Sequence, residues 1–472
     1  MGNTISDMSS VFQGSVLLGL IFCVVALLTY RVALLLSDQR RNPSGLPLPP
    51  GPKGYPLIGN VFGMPTSHQW LTYAKWAKVY GDVFSFEVLG QRIIILSSLE
   101  AVQELFEKRS ANYSSRPRLP MLVELMGFDY VQGFLPYGPW WRRHRRTFNQ
   151  HFRASAVLKY QSVQSRETRA FLNRLLQSPD RFDLHIREAL ASSIMAITYG
   201  IKIRGFDDPY IVNIEESIEG ISLAANPGSF LVDMIPAMKY VPSWFPGAGF
   251  KKKAAYWKKV NQKVVELPFD HVAQQIKEGT AGPSIAGTLI TALPEGDEHL
   301  LAEELRIAQN VTAVAYIGGG DTTVSAIRSF FLAMAMYPET QRKAQAELDA
   351  VIGSHRLPEF SDRSSLPYVN ALVKETMRWQ LVAPLAITHM ATGDDVYAGY
   401  FIPKGSIVIG NAWAILHDER VFTDPGEYRP ERYLRDGKLD LSPCVSLPQS
   451  SEFSLSSPSS LGPPPTDAQR CR

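Results

Sequence analysis

The sequence predicts a mainly α-helical single domain with small β-sheets, placed behind an N-terminal transmembrane helix. Three observations carry that prediction. Apolar residues recur at helical spacing over long stretches, among them Gln161 to Leu176, Ala302 to Tyr337, Pro338 to Val351 and Ser365 to Arg378. Strand-type patterns are short and confined to two places. An apolar run lies close to the N-terminus.

That run extends from Val16 to Tyr30 and continues past Arg31 from Val32 to Leu36. A bilayer span needs roughly 20 apolar residues, and a lone arginine near its end can snorkel to the interface. Arg31, Arg40 and Arg41 lie on the C-terminal side, whereas the N-terminal side has Asp7 and no Lys or Arg. The positive-inside bias therefore places the rest of the chain in the cytosol. A cleaved signal peptide is the alternative, but the basic n-region and a small-residue cleavage site are both missing. Residues 1–36 are read as a membrane anchor and 37–54 as a basic, proline-rich linker. Prolines as dense as those of Leu46-Pro47-Leu48-Pro49-Pro50-Gly51-Pro52 cannot lie inside a helix or sheet.

Residues 55–440 read as one domain. Its first strand signal is Val83 to Val88 followed by Ile93 to Leu96, a hairpin around Leu89-Gly90-Gln91. The second is Asp395 to Ile409, interrupted by the turn Pro403-Lys404-Gly405. Residues 441–472 contain nine serines and six prolines and lose apolar periodicity, which predicts a disordered tail. A net charge of +3 gives no reason to expect a nucleic-acid partner. Cys23, Cys444 and Cys471 are too scattered for a disulfide framework or a cysteine-rich metal site.

Three consecutive glycines, Gly318 to Gly320, interrupt the longest helical pattern just before Asp321 and Thr322. Each glycine costs roughly 1 kcal/mol in a helix interior, so the run needs a reason. One reason is close approach of a flat ligand together with local opening of the helix; the other is a plain helix terminus. An acid and a hydroxyl side by side suit proton delivery. Glu375 and Arg378 share a helix face at i, i+3. Trp141 and Arg145 project together at i, i+4 and could grip one carboxylate.

Taken in order, Trp141-x-x-x-Arg145, Gly318-Gly319-Gly320-Asp321-Thr322-Thr323, Glu375-Thr376-Met377-Arg378 and Pro430-Glu431-Arg432-Tyr433 resemble the cytochrome P-450 family of haem-thiolate monooxygenases. The resemblance covers about residues 46 to 440 and looks most like microsomal, fungal members of secondary metabolism. It implies a cytochrome P-450-type fold and a haem cofactor. Asp321 and Thr322 would be the catalytic acid and alcohol, with Gly318 and Gly319 against the cofactor. Trp141 and Arg145 would hold one haem propionate and His389 the other, although His389 also reads as a simple polar strand residue. Glu375, Arg378 and Arg432 would form a structural network behind the haem. The implied partners are an NADPH-dependent cytochrome reductase, the membrane and a small apolar substrate of terpenoid or indole type. The implied location is the endoplasmic reticulum membrane, single-pass, with the domain cytosolic. Arg142, Arg143, His144 and Arg146 would then offer the reductase a basic patch, or else form an ordinary solvated face.

The family's haem-ligating string, resembling Phe-x-x-Gly-x-Arg-x-Cys-x-Gly, is expected after Tyr433 and has no match. Cys444, in Ser442-Pro443-Cys444-Val445, and Cys471 lack the glycines and arginine that shape that loop, so no metal ligand is assigned. Two readings of function stay open. One is a monooxygenase whose tail from Leu441 is a shifted or mis-spliced frame. The other is a haem-free, inactive membrane-tethered protein.

Overall fold

The computed structural model describes residues 40–225 and 229–440, together with Val25, Thr29 and Ala33. The predicted anchor (1–36), apart from those three residues, and the tail (441–472) lie outside this range. Among the described residues no helix is long and apolar enough to cross a membrane. The described residues group into two compact units: residues 40–115 with 388–411, and residues 116–225 and 229–387 with 412–440.

The first unit is built on a mixed sheet. Its strands are β1 (Val83–Val88), β2 (Gln91–Leu96), β3 (His389–Met390) and β6 (Ile407–Gly410), in spatial order β1-β2-β6-β3. A separate hairpin joins β4 (Asp395–Tyr397) to β5 (Tyr400–Ile402). Both predicted strand regions are therefore present, and β2 with β6 recruits the second to the first by parallel pairing, Ile93 opposite Ile407. β1 and β2 are antiparallel, Val83 opposite Leu96. Leu89 (φ 48°) and Gly90 (φ 87°) make the two-residue turn between them, both in the left-handed region that matches strand twist. Helix α1 (Gln69–Tyr80) covers β1 by setting Tyr73 and Trp76 against Phe84 and Phe86, with ring centroids 5.6 to 6.4 Å apart.

The proline-rich segment, read as a linker, is docked on this unit. Ser85 donates its backbone N–H to the Pro50 carbonyl (2.7 Å) and its hydroxyl to that of Pro49 (2.8 Å). Phe401 N–H reaches Pro47 O at 2.8 Å. Prolines cannot donate, but their carbonyls still accept, so the segment satisfies exposed strand N–H groups without extending the sheet.

The second unit is helical: α2 (Pro139–Phe152), α3 (Gln161–Gln177), α4 (Phe182–Tyr199), α5 (Pro209–Ala224), α6 (Gly249–Lys277), α7 (Ile285–Thr291), α8 (Glu298–Met336), α9 (Pro338–Val351) and α10 (Pro367–Trp379). β7 (Leu434–Arg435) and β8 (Lys438–Leu439) close it with a small hairpin. α8 is 39 residues long and starts at Asp297, whose carboxylate accepts the N–H groups of His299 and Leu300, both at 3.0 Å. Its central residues, including Ala313, Val314 and Ile317, join Met195 and Tyr199 of α4 and Ile211 and Ile214 of α5 in the main apolar core.

Gly220 lets α5 approach α6. A Cβ there would lie 2.9 Å from Trp257 Cδ1 and 3.0 Å from Met126 Cε. Gly→Ala in a helix normally gains about 1 kcal/mol, while overpacking a filled core costs about 1–3 kcal/mol. Trp257 is large and buried, so the second effect wins. Gly220→Ala is expected to lower the melting temperature; an unchanged or raised value would show that Trp257 moves aside at little cost.

Candidate functional site

In the second unit, α10 presents Glu375 and Arg378 to the segment 416–432. Arg378 Nε donates to Glu375 Oε2 at 2.7 Å and its Nη2 to Oε1 at 2.8 Å, with the side chains 1% and 0% exposed. The remaining guanidinium protons reach the carbonyls of Leu416 (3.0 Å), Pro425 (2.8 Å) and Glu427 (3.1 Å). Glu375 Oε1 also accepts Arg429 N–H (2.8 Å) and Arg432 Nε (3.2 Å). Arg432 continues to the carbonyls of Thr423, Asp424 and Glu427. One buried carboxylate and two arginines thus organise a segment that, between the helical turns Ala412–Leu416 and Pro430–Tyr433, has no helix or strand of its own. The structure brings together all three residues predicted as a network.

Around it, Trp379 Nε1 donates to Gly426 O (2.8 Å), and Tyr428 hydroxyl donates to Leu372 O (3.0 Å). His417 stacks on Trp413 at 4.2 Å and donates from Nδ1 to that residue's carbonyl at 3.0 Å. Burial, with the charges of Arg378 and Arg432, pushes the His417 imidazole down to about 4. The histidine is therefore neutral in the fold at neutral pH.

The glycine-rich turn lies in the middle of α8, which stays helical throughout, so the expected opening of the helix is not seen. Thr322 Oγ1 donates back to Gly318 O at 2.6 Å, the i−4 bond that bends helices while sparing the ladder. The reason for one of the glycines also differs from the expectation. A Cβ on Gly319 would lie 3.0 Å from Ile194 Cγ1 of α4, tighter than an ordinary contact, whereas one on Gly320 would meet Ile214 Cδ1 of α5 at an ordinary 3.4 Å. Packing of α4 therefore accounts for Gly319 and not for Gly320. Gly318 is buried, and Asp321 is half-buried on the turn after it. Thr322 Oγ1 keeps its lone pairs available to accept a hydrogen bond while its proton is bound to Gly318 O.

Trp141 and Arg145 are both half-buried on one flank of α2, and Trp141 packs its ring 5.2 Å from Tyr137. His144 is committed elsewhere. It is 1% exposed, its Nδ1 donates to Trp140 O (2.9 Å), and Asn310 Nδ2 of α8 donates to its Nε2 (3.0 Å). Burial holds its imidazole below the ordinary value. Arg143 pairs with Glu303 (2.6 Å) and Glu304 (2.8 Å). The expected basic patch therefore reduces to Arg142 and Arg146, both exposed, because two of its members fasten α2 to α8.

In the first unit, His389 is 3% exposed, stacks on Phe106 at 4.3 Å and shares its Nδ1 with Tyr113 O at 2.6 Å. That anchors the ring and is compatible with either reading of it. The His144–Asn310 bridge and the Glu347 carboxylate, which accepts Tyr368 and Val369 N–H at 2.9 Å each, were not foreseen. Single polar residues at these places carry no sequence signal.

The donor chemistry fits the edge of a haem: an indole N–H and a guanidinium on one helix flank, and a hydroxyl–acid pair on α8. It does not supply the iron. No cysteine lies among the described residues, and none of them forms a His/Cys/Asp/Glu group suited to a metal. The two cysteines that follow Tyr433 lie outside the described range.

The profile of the Cytochrome P450 family matches residues 49–451, a span that takes in Cys444. The chain is 50% identical over 396 residues to the cytochrome P450 monooxygenase COX2 of Coprinopsis cinerea, covering 84% of this chain and 75% of that protein. It is 43% identical to COX1 of the same fungus, covering 93% and 84%. It is likewise 43% identical to the tryptamine 4-monooxygenase of Psilocybe cyanescens, covering 86% and 80%.

Glu375→Gln keeps the shape but leaves Arg378 buried without its counter-charge, a loss of about 3–5 kcal/mol. Chemical unfolding should show that loss; a change below about 1 kcal/mol would place the stability of the 416–432 loop elsewhere. His417 has a folded-state value below its ordinary 6.5. Its contribution is thus complete above about pH 6.5 and is lost as pH falls toward about 4. From pH 6.5 to 5 the loss is about 2 kcal/mol. His417→Gln should flatten the pH dependence of unfolding over that interval, and an unchanged slope would contradict the assignment.

Proposed function

The chain belongs to the cytochrome P450 family, an oxidoreductase lineage whose cofactor is haem, and from that premise we propose that it is a monooxygenase of fungal secondary metabolism. Enzymes of this family draw electrons from a redox partner. The partner proposed here is an NADPH-dependent reductase, and the substrate is a small, largely apolar molecule of indole or terpenoid type. The tryptamine 4-monooxygenase relative supports the indole class.

When bound, haem supplies the dioxygen-activating chemistry. The protein's own residues would surround that chemistry. Trp141 and Arg145 would hold one propionate. Gly318 would flank the cofactor, and Asp321 would feed protons to Thr322 Oγ1. The single observation that carries the reading is the Thr322 hydroxyl, fixed at 2.6 Å on Gly318 O beside an acid, on a helix that the matching family uses for its oxygen site. Residues 16–36 support a tether to the endoplasmic reticulum membrane with the domain in the cytosol. Exposed Trp244 (79%) and Phe245 (51%) fit contact with the same surface.

A second reading is favoured by one observation. Neither Cys444 nor Cys471 has neighbours that could shape a thiolate loop. We propose that the segment from Leu441 is not the one an active monooxygenase uses. A protein carrying it would be haem-free and inactive. Sequencing the transcript across the Leu441 codon tests this: a frame or exon encoding a Phe/Gly/Arg loop with a cysteine supports the enzyme, and a transcript encoding the printed tail supports the inactive form.

Co-expressed with a reductase and offered indoles and terpenes, the enzyme form should give singly oxygenated products by mass spectrometry. Thr322→Ala should consume NADPH with much less product, and unchanged coupling would remove Thr322 from its role.

A further inference from the structure

Between α5 and α6 the chain returns across the helical turn Pro120–Leu125 and carries one acid into the interior. Asp233, on the turn Leu231–Met234, is only 7% exposed. Its Oδ1 accepts the Met121 backbone N–H at 2.8 Å. Its Oδ2 is buried and has no hydrogen-bond partner among the described residues. Capping the turn at Met121 needs one carboxylate oxygen, so the second remains to be explained.

Among the described residues no basic side chain is paired with it. The charge that acts on Asp233 is Glu124, of the same sign. The two cations nearby are committed to Glu124 itself: Arg118 Nε and Lys239 Nζ each lie 2.6 Å from it. They hold the Glu124 carboxyl down to about 2. Desolvation raises Asp233 to about 6, which still leaves it mostly ionised at neutral pH. Its sequence neighbours Phe230 and Val232, and Met121 and Leu122 of the facing turn, belong to the apolar core. A buried, ionised acceptor without a donor is costly, and a ligand that supplies both a proton donor and a positive charge relieves that cost.

We propose that Asp233 is the point at which this protein recognises a protonated aryl-alkyl amine, its Oδ2 accepting an ammonium N–H while Oδ1 keeps the Met121 cap. The inference rests on the reading above that the substrate is a small, largely apolar molecule of indole type, and it sharpens that class to cationic amines. The ammonium carries three donors and needs only one here, so its others remain free for water or backbone carbonyls. An uncharged molecule of the same shape leaves Oδ2 as it is.

The test is isothermal titration calorimetry on the full chain at neutral pH, with tryptamine and its uncharged isostere 3-propylindole. The expected result is tighter binding of tryptamine by about tenfold to a hundredfold. Asp233→Asn retains an oxygen for Met121 N–H, so its melting temperature should stay near that of the unmodified protein while the preference for the amine disappears. Asp233→Ala should lose both the cap and the preference. Equal affinities for the two ligands, no binding of either, or an amine preference that survives in Asp233→Asn would overturn the proposal. Calorimetry needs no turnover, so the two readings fail separately. An active monooxygenase with no amine preference sinks this site alone. An amine preference that Asp233→Asn removes, in a protein without turnover, upholds the site and counts against the monooxygenase.

Discussion

A single buried carboxylate, Glu375, holds the second unit's closing loop in place. Placed in an apolar interior by α10, it would be strongly unfavourable alone, and Arg378 alone would be worse. Together with Arg432 they form a closed set in which the guanidinium protons and carboxylate lone pairs are bound to one another or to backbone carbonyls of the 416–427 stretch. Such a pair adds little net stability over an apolar replacement. Its effect is specificity, since the loop has only one path that satisfies all of these groups. Trp379, Tyr428 and His417 then pack against a frame that already exists.

The same logic of committed polar groups recurs across the helices. His144 is satisfied from both ring nitrogens by Trp140 and Asn310, and Arg143 by two glutamates of α8, so α2 and α8 are tied by polar contacts above an apolar core. Asp233 differs. One of its oxygens caps Met121 and the other has no partner among the described residues.

Much of this was legible in the sequence, for identifiable reasons. Long period-3.6 patterns gave α3, α9 and α10 to within two residues and α8 to within four. The Leu89-Gly90 turn and the Pro403-Lys404-Gly405 turn placed both strand regions. Glu375, Arg378 and Arg432 were readable only because a family pattern joined residues 57 positions apart; spacing alone would have left a surface pair. What stayed hidden depends on long-range packing. Nothing local says that Gly319 faces Ile194, that the prolines at 47–50 accept hydrogen bonds from strands, or that an aspartate between α5 and α6 turns inward. The parallel pairing of β2 with β6 spans more than 300 residues and has no local signature either.

The central claim is that the carboxylate network orders the 416–432 loop by itself, before any cofactor arrives. Native-state hydrogen exchange on the haem-free full chain tests this directly at the amide of Arg429, which is bound to Glu375 Oε1 at 2.8 Å. The account predicts slow exchange there, well protected relative to an unstructured peptide and comparable with the α10 amides. Exchange at the unprotected rate in the haem-free protein would contradict it and would mean that the loop is ordered by something other than Glu375.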